Sequence, residues 1–181
     1  MSKIETWCGL LEAGTVTEKL RRELDDIFFE SSGTKTFASG DAKDAFRERW
    51  LERYLRIYPE WVYLAVGEDG AVDGYLLGSL DDPARTPLFA DVAYFSDFSE
   101  LTARYPAQLH INMAPRARGH GVGSRLIDVF AAQAVRAGCP GVHVVTGRGM
   151  RNVDFYTRNG FSERGHVDWH GRDLVFLARS L

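Results

Sequence analysis

QLHINMAPRARGHGVGSRLIDVFAAQAVR, residues 108–136, reads as a strand, a basic glycine loop and a long helix. Leu109, Ile111 and Met113 alternate with His110 and Asn112, the period-2 signature of a half-buried strand. Pro115 has no N–H to donate and ends the pairing. Behind the loop, Leu126, Ile127, Phe130, Ala131, Ala134 and Val135 recur at helical spacing, with Arg125, Asp128 and Gln133 on other faces. Gly138 sits where a helix stop is expected.

Between strand and helix lies Arg116-Ala117-Arg118-Gly119-His120-Gly121-Val122-Gly123-Ser124. Its glycines let a ligand approach the backbone, and the first N–H groups of the helix point outward without intrahelical partners. Arg116, Arg118 and Arg125 add positive charge. The chemistry fits a bound diphosphate. A Walker A loop needs a Lys followed by Ser or Thr, and here Gly123 is followed by Ser124-Arg125. A dinucleotide fingerprint needs GxGxxG and an acid about 20 residues on, and the chain there reads Gly141-Val142-His143-Val144-Val145.

The pattern Arg118-x-x-Gly121-x-Gly123, preceded by Pro115 and followed by an amphipathic helix, resembles the acetyl-CoA loop of the GNAT superfamily of N-acetyltransferases. A second stretch agrees: Asn152-Val153-Asp154-Phe155-Tyr156-Thr157-Arg158-Asn159-Gly160-Phe161 looks like the last motif of that superfamily, a short helix that carries a Tyr and ends at Gly-Phe. The two motifs span about residues 107–162. The FFESS and FRERW…YL…YPEW segments upstream also resemble bacterial relatives of the acetyltransferase-like domain of protein O-GlcNAc hydrolases.

The resemblance implies an α/β (α+β) fold, a single N-acetyltransferase-like domain over 1–181 with a cofactor-binding core at about 107–162. Its mixed, mostly antiparallel sheet would splay where acetyl-CoA enters, with helices on its faces. By the same resemblance, the backbone of Ile111, Asn112 and Met113 would hold the pantetheine arm and the acetyl carbonyl. Arg118, Gly119, His120, Gly121, Val122, Gly123 and Ser124 would take the diphosphate, and Tyr156 would protonate the departing thiolate. The competing reading of Tyr156 is a ring packed beside Phe155 and Phe161. Many family members carry an Asn seven residues before that Tyr; here the position is Gly149, and Asn152 either replaces the Asn toward the cofactor or caps the short helix. The strand position that holds a Glu base in some members falls at about Val144, so that base is missing.

His110 is a candidate base on chemical grounds, because imidazole titrates near neutrality. A packed strand histidine is the alternative. His166 and His170 flank a strand end with no third ligand nearby in sequence, so no metal is expected.

Elsewhere the chain supplies helices and hairpins. Val16, Leu20, Leu24, Ile27 and Phe28 share a helix face, with Thr15 and Glu18 spaced as a capping box. Glu30, beside two aromatics, could sit at an active-site mouth or end a solvated helix. Ser39-Gly40-Asp41 opens a helix over 42–57 whose face is Phe46, Trp50, Leu51, Tyr54, Leu55 and Tyr58, with Arg47, Arg49, Arg53 and Arg56 largely off it. This region is the expected seat of acceptor choice. Residues 61–66 and 71–80 form a hairpin around Gly67-Glu68-Asp69-Gly70. Residues 81–97 read as loop, 98–105 as one or two helical turns, and 141–146 as a strand parallel to the central one. Strands 161–169 and 173–178 close the chain.

Composition bounds the rest. The chain has 181 residues, a hydrophobic fraction of 45% and a formal net charge of −3. That is ordinary for a globular protein and carries no general nucleic-acid footprint. Cys8 and Cys139 are too few for a disulfide framework, and Cys139 would pack as a small apolar residue. No apolar run approaches the ~20 residues of a bilayer span, and Met1–Glu5 lacks a signal-peptide core. The expected setting is cytoplasmic, with no nucleic acid or membrane as partner, an amine on a small molecule or protein as acceptor, and a monomer or homodimer. The function so implied is acetyl-CoA-dependent N-acetyl transfer by direct attack of the amine on the thioester. The alternative is a weak or inactive acetyl-CoA-binding module that acts in binding or regulation.

Overall fold

A computed structural model describes residues 2–181, which divide into two compact units. The first holds the residues up to Gly78 together with His110–Phe130, and the second holds Ser79–Leu109 and Ala131–Leu181. No helix among the described residues is long and apolar enough to cross a membrane.

The first unit opens with strand β1 (Lys3–Thr6) and helix α1 (Trp7–Glu12). The sequence reading has neither element: a four-residue, charge-bearing strand offers too few positions for alternation to register. Pairing creates it, with Lys3↔Val66 through Thr6↔Tyr63 antiparallel to β2 (Val62–Val66). Thr6 then caps α1 by accepting from the Gly9 N–H. Helix α2 (Glu18–Ser31) buries Leu20, Leu24, Ile27 and Phe28, the expected face. Its cap is Thr17, whose Oγ1 accepts from Leu20 N at 3.2 Å, and not Thr15, which donates to the Leu10 carbonyl. Glu18 therefore stands at the first helical position, where it meets Arg22, and no capping box forms.

The helix expected over 42–57 is α3 (Gly40–Arg47), capped by Ser39, then a π-helical turn (Glu48–Glu52), then α4 (Arg53–Ile57). Leu51, Tyr54, Leu55 and Tyr58 are buried, while Trp50 and Phe46 are half-buried. Arg47 departs from the solvated role expected of it: it pairs with Asp25 at 2.8 Å and with Glu52 at 2.7 Å. Strand β3 (Val72–Ser79) returns antiparallel to β2 through the 67–70 turn. Hydrogen-bonded neighbours in this unit run β1-β2-β3, then the His110–Met113 part of β4 (Ala107–Met113). The first residues of α7 (Val122–Arg136) also belong here, and Leu126, Ile127 and Phe130 are fully buried. Phe130 meets Tyr63 edge-on at 6.3 Å.

In the second unit, 81–97 is less irregular than expected. It contains a 3-10 turn at Pro87–Phe89 and α5 (Tyr94–Asp97); α6 (Ser99–Arg104) follows. Strand β5 (Gly141–Gly147) runs parallel to the start of β4, with Ala107↔Val142 and Gln108↔His143 in register. After α8 (Arg151–Arg158), β6 (Ser162–Trp169) and β7 (Arg172–Ser180) form the closing hairpin, and neighbours follow β4-β5-β7-β6. β1–β2, β2–β3, β5–β7 and β6–β7 pair antiparallel and β4–β5 parallel, which gives the mixed, mostly antiparallel α/β sheet expected. The core joins Phe98, Tyr105, Phe176 and Ala178. Helix α7 stops as read, with Cys139 N on Ala134 O and Gly138 at φ 76°. Val135, however, is 53% exposed, because one step past Ala134 turns about 100° off the buried stripe.

Candidate functional site

In the first unit the glycine loop runs into the start of α7. Ala114 N donates to Asp73 O at 2.9 Å, and a 3-10 turn at Pro115–Ala117 follows. Gly119 and Gly121 hold φ of 80° and 75°, the left-handed region that side chains resist. A Cβ at either would meet nothing within 4 Å. Packing against the protein therefore does not demand glycine here; backbone conformation and an open approach do. The Arg125 N–H bonds to the Gly121 carbonyl at 3.1 Å, and the N–H groups before it point outward from the helix end. This is the arrangement that receives a phosphate.

The arginines divide their work differently from the sequence expectation. Arg118 is exposed, and its Nε donates to the Met113 carbonyl at 3.1 Å, which holds its charge beside the loop. Arg116 is committed elsewhere: Nε meets Asp73 at 3.0 Å and Nη2 meets the Val72 carbonyl at 2.9 Å. His120 is exposed on the loop, and Gly123 is buried at the helix start. Glycine at both left-handed positions, an open approach and outward N–H groups fit a diphosphate, so the residues present suit the phosphate end of acetyl-CoA.

Just before the loop, Asn112 Nδ2 donates to the Tyr75 hydroxyl at 2.9 Å, while Ile111 and Met113 are half-buried. His110, on the same strand face as Asn112, stands edge-on to Trp50 and Tyr54, with ring centroids 5.4 and 5.6 Å away. Burial pushes its imidazole down to about 4, so it is neutral at pH 7 and a weak proton acceptor. Also in this unit is a groove of about 350 Å³ lined by Glu23, Asp26, Ile27, Glu30, Val72, Ala114, Pro115 and Arg116. Glu30 thus borders a concave surface, and Ala114–Arg116 lead directly into the glycine loop.

The second unit carries Tyr156 on α8. The Phe161 N–H bonds the Tyr156 carbonyl at 3.1 Å and closes the helix. The Tyr156 ring is buried edge-on against Phe155 and Phe161, at 5.4 and 5.5 Å. It is therefore packed beside Phe155 and Phe161 as the competing reading requires, and packing gives its hydroxyl a chemical character. Burial drives its pKa above the usual phenol range, so the group keeps its proton at any physiological pH. The proton is therefore present to be donated, while the same burial makes this phenol a weaker acid than a free one. Asn152 is not the helix cap: Met150 holds that position, and Asn152 Oδ1 accepts from Thr146 Oγ1 at 3.0 Å. Val144, at the position of the missing base, is buried.

One feature here has no local sequence signal. Arg148, in the turn between β5 and α8, donates from Nε to Asp173 and from both terminal nitrogens to Glu163, at 3.1 and 2.8 Å. Its backbone N–H also reaches the Asp173 carbonyl at 2.8 Å. The partners lie 15 and 25 residues away, and they meet because β7 pairs with β5 on one side, up to Gly147↔Leu174, and with β6 on the other.

Comparison with known proteins identifies the family and the fold. The family model described as "Acetyltransferase (GNAT) family" matches residues 23–161. Among solved structures, the protein named SsHAT superposes with a TM-score of 0.72 at 21% identity, over 99% of this chain and 98% of that one. A ribosomal-protein-alanine N-acetyltransferase from Brucella melitensis gives 0.63 at 21%, over 99% of each chain. A chain of the NatC complex bound to Gag peptide and CoA gives 0.65 at 15%, over 99% of this chain and 98% of that one. At these identities the likeness is one of fold.

Proposed function

This chain belongs to the acetyltransferase (GNAT) family, and we propose that it transfers the acetyl group of acetyl-CoA to an amine. The observation that carries the proposal is the glycine loop, with two left-handed glycines, an open approach and the bare start of α7. The diphosphate of the co-substrate binds across Gly119–Ser124, with Arg118 beside it. The backbone of Ile111, Asn112 and Met113 aligns the pantetheine arm and polarises the acetyl carbonyl as oxyanion charge develops.

The amine nitrogen attacks the thioester carbon, the C–N bond forms and the C–S bond breaks. Tyr156 gives its proton to the departing sulfur. The proton lost by the nitrogen leaves through water or a base on the acceptor side. His110 is a poor base for that step, because an imidazole held near 4 has little affinity for a proton at pH 7. The groove that includes Glu23, Asp26 and Glu30 favours a positively charged approach to the acceptor side, as an amine makes.

The test is calorimetric titration with acetyl-CoA, ATP and NAD, beside a thiol-release assay over a panel of amines with Tyr156→Phe as control. Micromolar binding of acetyl-CoA alone and amine-dependent release that the variant loses support the proposal. Binding without release from any amine supports the second reading, a domain that binds acetyl-CoA and does not turn it over. No binding of acetyl-CoA overturns both.

A further inference from the structure

His110 and Asn112 lie on one face of β4, and their polar groups meet different fates. Asn112 is satisfied by Tyr75. His110 Nε2 is buried and has no hydrogen-bond partner. An unmet buried nitrogen costs stability, and a folded protein that keeps one calls for an explanation. The element over it is also irregular. The π-helical turn Glu48–Glu52 carries Trp50, and such turns occur often at functional sites. Tyr54 is fully buried, whereas Trp50 and His110 both keep some exposure, so these two form the rim of the cluster.

We propose that Trp50, Tyr54 and His110 form the recess for the non-reacting arm of the acceptor, and that the arm is aromatic and ends in an O–H or N–H that donates to His110 Nε2. The inference rests on the acetyltransferase reading and names the acceptor class for it. Trp50 offers ring surface for an aromatic arm, with the buried Tyr54 ring behind His110. With its proton on Nδ1, the neutral imidazole leaves the Nε2 lone pair free to accept. None of the three side chains carries a negative charge, so a second ammonium would be desolvated there without a counter-charge. That disfavours polyamines in this recess. Access runs past Trp50, whose half-buried indole is the part that yields.

The experiment uses the full chain saturated with CoA and three probes: tyramine, 2-phenylethylamine, which lacks only the phenol O–H, and spermidine. Binding is read by calorimetry and by the ¹⁵N resonances of labelled histidine. Tyramine is expected to bind at least 10-fold more tightly than either other amine and to move the His110 Nε2 signal. His110→Leu should bring tyramine down to the level of 2-phenylethylamine while CoA binding is kept, because a site built to bond a hydroxyl loses its discrimination with the bonding group. Trp50→Leu, which leaves β4 intact, should weaken both aromatic amines. No tyramine binding, equal affinity for the two aromatic amines, or undiminished discrimination in His110→Leu overturns the proposal. Loss of CoA binding by the unaltered protein would instead remove the reading on which it rests.

Discussion

His143 lies flat on Phe176, with ring centroids 4.5 Å apart and planes inclined by 16°, and its Nδ1 is 2.5 Å from the carbonyl oxygen of Tyr105. A carbonyl only accepts, so the proton is on Nδ1. One fully buried side chain thus stacks on β7 and satisfies the backbone just before β4.

His143→Ala removes both contacts and leaves a cavity and an unmet carbonyl, and should cost about 3–4 kcal/mol in urea unfolding. His143→Phe keeps the stacking and loses the hydrogen bond, and should cost about 1–2 kcal/mol. Equal losses in the two variants would show that the stacking on Phe176 contributes nothing of its own, and no loss in His143→Phe would show the same of the hydrogen bond.

His143 also marks where sequence reading stops. Gly141–Thr146 is legible as a strand because its residues are apolar, and His143 there looks like an interruption. The feature that makes it a core residue, the Tyr105 carbonyl, is 38 positions away. The same limit applies to Arg148 with Glu163 and Asp173, and to Arg116 with Asp73. Local rules did reach the glycine loop, α7 and its Gly138 stop, the Tyr156 helix and both hairpins, because capping, turn chemistry and periodicity act within a few residues. They misplaced the α2 cap by two positions: Thr15 and Thr17 are equally good candidates by type, and only the chain path out of α1 decides between them. The π turn at Glu48–Glu52 also left no trace, because one extra residue per turn barely disturbs a broad apolar face.

His110 should make the protein sensitive to mild acid. Its imidazole is depressed from 6.5 to about 4 in the folded protein, so the unfolded chain takes up the proton first as pH falls. Stability from this residue is complete above pH 6.5 and is lost between 6.5 and 4. The loss is up to about 3 kcal/mol, and smaller to the extent that water reaches the ring from its open side. Urea unfolding at pH 7 and pH 4.5 should show a larger drop for the unaltered protein than for His110→Leu. Parallel drops would mean that the ring is solvated in the folded state.

Two glycine substitutions separate binding from packing. Gly121→Ala meets no protein atom and forces a side chain into left-handed backbone, for about 1 kcal/mol. Its methyl group occupies the approach to the loop, so acetyl-CoA should bind at least 10-fold more weakly by calorimetry. Gly78→Ala drives a methyl into the Phe130 ring and should cost about 1–3 kcal/mol in unfolding. Acetyl-CoA affinity at temperatures where Gly78→Ala is folded should be unchanged. Undiminished affinity in Gly121→Ala would place the diphosphate elsewhere.

The Arg148 clamp fastens the turn that launches α8. Glu163 and Asp173 hold its guanidinium above the usual range, and the group is exposed, so salt should weaken the attachment. Arg148→Ala should speed amide exchange across Arg151–Arg158 at low ionic strength, with the gap from the unaltered protein closing near 1 M salt. Identical exchange at low salt would show that the helix is set by Tyr156 packing alone.

Tyr156 supplies the sharpest kinetic test, because its environment fixes the shape of a pH profile. A general acid acts while protonated, and a free tyrosine would begin to lose its proton as pH nears 10. Burial raises the pKa of this one, so its share of the rate should hold through pH 10. Amine-dependent thiol release should rise as the amine deprotonates and then level off, without a descending limb below pH 10. Tyr156→Phe keeps the contacts with Phe155 and Phe161 and removes the proton, so kcat should fall about 10²–10⁴-fold with little change in acetyl-CoA affinity. The deficit should shrink with an acetyl thioester whose thiol is more acidic than CoA, since a better leaving group needs less proton assistance. A phenylalanine variant with undiminished kcat would assign Tyr156 to packing alone, and a descending limb near pH 10 that disappears in the variant would show a hydroxyl in contact with water.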